Sequence, residues 1–276
     1  MTADMAAAPS GVAAPAGLVR VETKKGHYYT LDGRRVSGVT TLINAGLPKP
    51  NLLNWYAKSV AEFVQANPGH VDVLRQGDPA AMVKELTGVP TRVRDNAATR
   101  GTDVHKYAQQ LVDGAAVDMP DAIAGYVEAC VAFLDRWQLA PVLTETTVAS
   151  REWQYAGTFD CVGDLPDGRR VIVDWKTGRS GIWGETALQL AAYANAEFYV
   201  DTDGLEAPVV DLGITDGMAV HLRPDGYSVH HIEISGPVFR LFQHVAHVAR
   251  AAKSLRADYV SEPLPHPNWA VSEGTS

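Results

Sequence analysis

Residues 157–193 read GTFDCVGDLPDGRRVIVDWKTGRSGIWGETALQLAAY, and the order of elements in this stretch decides the fold. Two short runs rich in Val, Ile, Phe and Trp, Thr158–Leu165 and Arg170–Thr177, flank Pro166-Asp167-Gly168. Asp-Gly between apolar runs is a hairpin signal, so the runs are expected to pair antiparallel. From about Gly184 to Val200, Leu188, Ala191, Ala192, Asn195 and Ala196 recur at helical spacing. Strand, strand, helix is the predicted sequence of elements, with a Gly-x-x-Asp on the first, an Asp-x-Lys on the second and a Gln-x-x-x-Tyr on the third.

In the second strand Val171, Ile172 and Val173 form a nearly continuous apolar run that suits burial on both faces, and Asp174 follows directly. An ionised carboxylate loses its hydration there and needs a cation nearby. Lys176, two residues on, leaves the same face of the strand. Alone, such an Asp-Lys pair also fits a surface ion pair at a strand end. Gln189 and Tyr193 lie four residues apart on one helix face. A glutamine amide can donate to a phosphate or a bound water, and a tyrosine can hydrogen-bond a phosphate or stack on a base; the same pair also suits a solvated Gln beside a core Tyr. Upstream, Arg100-Gly101-Thr102-Asp103-Val104-His105 begins or interrupts a helical stretch running through Tyr107, Ala108 and Leu111. That sets His105 about one turn after an expected cap, where an imidazole can ligate a metal if its helix crosses the open end of the sheet.

Gly-Thr-x-x-His, Gly-x-x-Asp, Asp-x-Lys and Gln-x-x-x-Tyr, in this order over roughly Arg100 to Val200, resemble the RecB-type branch of the PD-(D/E)XK nuclease superfamily, which includes CRISPR-associated RecB-like exonucleases and phage relatives. The resemblance implies an α/β fold, a restriction-endonuclease-like central mixed sheet flanked by helices. It also implies a divalent metal held by His105, Asp160, Asp174 and the backbone carbonyl of Trp175. Lys176 is then the catalytic lysine, and Gln189 with Tyr193 the helical motif behind the active site. An acidic residue on the first core strand accompanies these; Glu145, in Val142–Ser150, is the candidate, with Glu152 as a second. Oxygen-rich ligands with one imidazole suit Mg²⁺ or Mn²⁺. Many relatives carry four cysteines for an iron-sulfur cluster, whereas this chain has two, Cys130 and Cys161. Two thiols cannot supply four ligands, so no cluster is expected, and both read as small buried hydrophobes.

The chain has 276 residues, 46% of them hydrophobic, enough for a substantial core. A formal net charge of -8 argues against coating nucleic acid by bulk electrostatics, though a local basic groove suffices for a nuclease. Arg92, Arg94, Lys106, Arg169 and Arg170 are candidate phosphate and DNA contacts, and Arg100 and Arg179 stand out because each adjoins a motif. No apolar run is long enough to cross a bilayer, and sparse cysteine suits a reducing cytoplasm, which the resemblance implies is that of a bacterial or phage-infected cell. Met1–Gly17, rich in Ala and Pro, reads as a tail without a signal peptide.

The expected division is a tail at 1–19, a hairpin and helical lobe carrying the His motif at 20–139, a nuclease core at 140–260 and a tail at 261–276. Tyr28–Val36 is a hairpin around Asp32-Gly33, with Val39–Ile43 extending it. Helices are expected at Leu52–Gln65, Asp78–Thr87, Arg92–Val112 and Ala122–Trp137, broken at Pro68-Gly69, Gly88–Pro90 and Gly114–Pro120. Trp55, Tyr56 and Tyr107 are candidates for stacking on a single strand. Gly217–Arg223 and Tyr227–Ile234 read as strands and Phe239–Leu255 as a closing helix. His221, His230, His231, His244 and His247 are read as structural or solvated. The implied activity is metal-dependent DNA exonuclease action in recombination, repair or phage DNA processing. Its alternatives are a structure-dependent endonuclease and a non-catalytic nucleic-acid-binding module. Expected partners are DNA, as single strands or duplex ends, and either a recombination protein or further copies of the chain.

Overall fold

The computed structural model describes residues 17–23, 26–112 and 120–264. Three strands, β1 (Leu18–Thr23), β2 (Gly26–Leu31) and β3 (Arg34–Gly38), form an antiparallel meander. Helices α1 (Val39–Gly46), α2 (Pro50–Ala66), α3 (Pro68–Gln76) and α4 (Pro79–Val112) follow. After a 3₁₀ turn at Asp121–Ile123 come α5 (Ala124–Trp137) and three long strands, β4 (Ala140–Ser150), β5 (Tyr155–Asp164) and β6 (Arg170–Lys176). Then come α6 (Glu185–Ala194), β7 (Phe198–Val200), β8 (Glu206–Pro208), β9 (Asp216–Arg223), β10 (Gly226–Ile232), α7 (Gly236–Ala251) and a short α8 (Leu255–Tyr259).

The strands make one mixed sheet. β4, β5 and β6 are antiparallel neighbours, β6 runs parallel to β9, and β10 closes that side. β3 joins β5 in parallel through Ser37↔Tyr155 and Gly38↔Ala156. Alternation along β6 sorts the core into two layers. Val171, Val173 and Trp175 pack with α4 and α5 through Val104, Ala108, Val127 and Phe133. Ile172 faces the other layer, where α1, α6 and α7 contribute Leu42, Leu190 and Phe242.

Several sequence expectations change here. Val39–Ile43 is a helix and not a strand extension, because Val39, Leu42 and Ile43 are buried at i, i+3 and i+4, a pattern only a helix presents to α6 and α7. The expected break at Gly88–Pro90 is absent; α4 is continuous from 79 to 112, with Val89 and Pro90 both buried. Arg92 lies along the helix there, ion-paired to Glu85 at 2.8 Å. Pro68 breaks one helix by starting the next, at a first-turn position where its missing N–H costs nothing. The motif helix ends at Ala194, and Phe198–Val200 is a strand. The first tail boundary moves inward, since β1 starts at Leu18; residues 1–16, 113–119 and 265–276 of the expected tails and break lie outside the described residues. The line drawn between 139 and 140 does not separate two units. β3 belongs to the sheet of β4 to β6, and Val39, Leu42 and Ile43 share a core with β5 and α7.

Candidate metal centre

The site lies where β5 and β6 part. Their ladder runs from Asp164↔Arg170 to Cys161↔Val173 and stops, so Asp160 and Asp174 are the first residues past the last pair. Asp160 Oδ2 accepts the Trp175 N–H at 2.8 Å, replacing a ladder partner with a side chain. In an extended strand a residue's N–H and C=O leave on the same edge. The Trp175 carbonyl is thereby directed to the Asp160 side.

The pleat changes phase at the same level. Phe159 and Val162 are three residues apart yet both pack on the α1/α6/α7 layer, while Cys161 packs on the α4/α5 layer. Strict alternation would send Phe159 and Val162 to opposite faces. The β4 residue opposite this shift, between the pairs Thr144↔Cys161 and Thr146↔Phe159, is Glu145. Its backbone is left-handed (φ 42°), a conformation that costs about 1–3 kcal/mol in a side-chain-bearing residue.

His105 comes from the middle of α4 and not from near a cap; Gly101, one turn earlier, lets the helix approach the strand, since a Cβ there would lie 3.3 Å from Thr177 Oγ1. His105 Nδ1 is 3.4 Å from Asp160 Oδ2. Ligand atoms of His105, Glu145 and Asp160 all lie within 4.8 Å of one another. Three hard donors this close could be drawn onto one small divalent ion by a modest adjustment of their side chains.

Asp174 stands beside this group, 2% exposed, and serves a different set of partners. Its Oδ1 accepts from Lys176 Nζ and from Gln189 Nε2, both at 2.8 Å. Its Oδ2 is 2.6 Å from the same ammonium but is buried and accepts no well-directed hydrogen bond. Lys176 Nζ also reaches Gln189 Oε1 at 3.3 Å. Tyr193, buried beneath, hydrogen-bonds Gln189, and burial pushes its phenol well above the ordinary range, so it stays protonated. The Tyr193 ring explains Gly157: a Cβ there would run into Tyr193 Cε1.

Charges in the site divide sharply. Burial pushes the Asp174 carboxyl up and Asp160 adds to it, with Lys176 opposing. Asp160 is buried too, but His105, Lys176 and the Trp175 N–H hold it below the ordinary carboxylate range. Glu145 is raised by burial and by Asp160, with His105 and Arg20 opposing; Arg20 lies 3.8 Å away. Burial opposes charge on His105, but Asp160 outweighs it and the imidazole rises to about 9.

The His105–Glu145–Asp160 group opens into a cleft of about 900 Å³ between the β1–β3 meander and α4. Of the basic residues singled out from sequence, Lys106 lines it. Arg100 does not: its guanidinium lies 5.9 Å from the Tyr126 ring centre. Arg179 is exposed in the 177–184 loop. Arg92, Arg94, Arg169 and Arg170 each pair with a nearby carboxylate, Glu85, Asp95, Asp167 and Asp164. Trp55 and Tyr56 pack on each other edge to face, and Tyr107 joins the α4/α5 core, so none of the three lines the cleft. Arg20, Arg35 and Lys253 do line it, and their sequence neighbourhoods carry no motif. Glu152 is exposed in the turn after β4, its N–H bonded to Glu197, away from the centre. His221 is buried against Gly178, Nε2–H donating to its carbonyl at 2.7 Å while Nδ1 accepts from Arg223. That fixes the backbone just past Lys176. Cys130 and Cys161 are both buried, and burial pushes the Cys130 thiol up to about 12.

The chain is thus a mixed α/β protein whose helices flank one mixed sheet and whose polar centre sits at a strand split. No protein-family model matches it and no curated protein matches it. Solved structures do match: the crystal structure of SSO0001 aligns over 79% of this chain and 74% of its own at 10% identity, with a TM-score of 0.32. A likeness at that level carries no argument about this chain. Among the described residues, no helix is long and apolar enough to cross a membrane.

Proposed function

We propose that this protein is a Mg²⁺- or Mn²⁺-dependent deoxyribonuclease with a PD-(D/E)XK-type core. The observation that carries the reading is the meeting of His105, Glu145 and Asp160 within 4.8 Å, beside the Asp174–Lys176 pair. Two independent features fit a divalent cation here. The donor set is hard, carboxylate oxygens with one imidazole. Three buried or half-buried carboxylates crowd against one ammonium and one imidazole, and Asp174 Oδ2 is left without a directed hydrogen bond.

His105, Glu145 and Asp160 would hold the ion, with the Trp175 carbonyl and Asp174 Oδ2 adjoining. When bound, such an ion polarises a phosphodiester and lowers the pKa of water. Lys176 does the rest of the positioning: its ammonium, fixed by Asp174 and Gln189, can hold the incoming water or meet charge building on the phosphate oxygens. Gln189 is fixed in turn by Tyr193. Lys106, Arg35 and Lys253 give the cleft walls the positive charge a DNA backbone needs, despite the net charge of -8, while Arg20 in the same wall is paired with Glu22 at 2.9 Å. DNA is therefore the proposed partner, and recombination, repair or phage DNA processing the proposed setting.

The test is digestion of end-labelled linear single-stranded and duplex DNA beside closed circles, with Mg²⁺, Mn²⁺ or EDTA. Metal-dependent loss of linear DNA with circles spared is expected. Asp160→Ala and Lys176→Ala should each lower the rate at least about a hundredfold, the scale of a lost proton-transfer or charge-stabilising group. Wild-type rates in either purified variant would overturn the assignment.

A further inference from the structure

A second cavity, of about 140 Å³, opens on the other side of Gln189 and is lined by Lys176, Trp183, Ile43 and Thr40 among others. Gln189 lines both cavities, whereas His105, Glu145 and Asp160 line only the large cleft and Lys176 only the small one. The proposed reacting centre thus sits on a partition to which Gln189 and Thr40 both contribute, with the proposed metal ligands lining one space and Lys176 the other. A phosphodiester held on that partition has a nucleotide on each side of it.

Trp183 marks the small side. It belongs to the loop that joins Lys176 to α6 and is 50% exposed, so half of a large apolar ring faces solvent where it contributes little to the core. Its indole N–H donates to Ser180 Oγ at 2.9 Å, which orients the ring at its polar edge. A fixed, half-exposed aromatic face beside a polar wall is what stacks an unpaired base. The cavity is well below the roughly 300–1,000 Å³ of drug-sized ligand sites, which fits one base and not a run of nucleotides.

We infer that this cavity receives the nucleobase on the Lys176 side of the scissile phosphate, unstacked from its neighbours and packed on Trp183. The inference rests on the nuclease reading. It makes a single-stranded end the preferred substrate, because a paired base must first leave its duplex. It also makes recognition tolerant of sequence, since every base has a π-face.

The probe is a single-stranded oligonucleotide with cleavage-resistant phosphorothioate linkages and 2-aminopurine at successive positions from one end. Binding to wild type should quench the fluorophore at one position, as should binding to Trp183→Phe. In Trp183→Ala the quench should vanish, and KM for cleavable single-stranded DNA should rise about five- to 150-fold, the range set by loss of one aromatic stack. Because Trp183 is half exposed, its variants should keep the wild-type Tm. An unaltered quench and KM in a folded Trp183→Ala, with wild type active, would overturn this inference alone. A wild-type protein that neither binds nor cleaves DNA would overturn it together with the nuclease reading.

Discussion

Two clusters of charge lie along the β4–β5 pair, one at its hairpin end and one near its middle, and they are built on opposite principles. At one end Arg151 donates to Asp32 at 2.8 and 3.0 Å and to Glu206 at 2.9 and 2.8 Å, and its guanidinium lies 4.4 Å from the Phe198 ring centre. Beside it Glu197 accepts from Ser150, Arg151 and Glu152. Arg151 lowers the Asp32 carboxyl, and the hydrogen bonds to Glu197 outweigh burial and lower it too. Both are comfortable as anions at a half-exposed rim. Near the middle, where β6 parts from β5, the carboxylates of Glu145 and Asp174 are raised, and the backbone of Glu145 is left-handed. The same residue types thus make a clasp in one place and a frustrated centre in the other. What separates them is burial and how completely each carboxylate oxygen is hydrogen-bonded, and only the second arrangement, desolvated and with Asp174 Oδ2 left without a directed hydrogen bond, gains from an added ion.

The largest effect that can break this contrast is a crossed comparison of Asp160→Ala with Arg151→Ala. Asp160→Ala should lose metal-dependent cleavage and divalent-ion binding while staying folded, whereas Arg151→Ala should keep both. Titration of Mn²⁺ by calorimetry beside the cleavage assay reads this directly, and equal losses in the two variants would dissolve the distinction.

Next in size is stability. Arg151→Ala should cost about 1–2 kcal/mol after allowance for solvent screening of its half-exposed pairs, a fall in Tm of about 3–6 °C. A Tm within error of wild type would mean the clasp is ornamental. The smallest effect has the opposite sign. Glu145→Gln, measured in EDTA, should raise Tm by less than Arg151→Ala lowers it, because it removes a carboxylate held above its ordinary pKa. The sign follows from linkage: a carboxyl with a raised folded pKa destabilises the protein above its unfolded value of 4.5, and this penalty disappears at lower pH, where both states are protonated. The two proteins should converge in Tm below pH 4.5, and a gain that persists there would point to relief of backbone strain instead.

Much of this was legible in the sequence because the signals are local. Asp167-Gly168 announces the β5–β6 hairpin, the apolar run before Asp174 announces a buried carboxylate, and Gln189 and Tyr193 share a helix face by spacing alone. Less legible was everything set by packing. Pro90 sits inside a helix because burial with Val89 outweighs its lost hydrogen bond, and the β-branched run Val39–Thr41 is helical because α6 and α7 cover its i, i+3, i+4 stripe. Glu145 and Glu152 looked alike in sequence; only the pairing register, which sets Glu145 opposite Asp160, tells them apart. Arg20, Arg35 and Lys253 converge on the cleft from β1, β3 and the segment after α7, and no local pattern links them.

One edge of β5 is shared by two strands in succession. β3 takes Tyr155 and Ala156, β6 takes 161–164, and among the described residues no strand pairs with 157–160 on that side. Exposed sheet edges invite other chains to add a strand, which is a route to aggregation. Here the open edge is a four-residue window between two neighbouring strands, with Thr158 tied to the Tyr29 hydroxyl at 2.9 Å. A window of that length is too short to template an intruding strand, so the backbone can face the cleft at the candidate metal centre without leaving the protein adhesive.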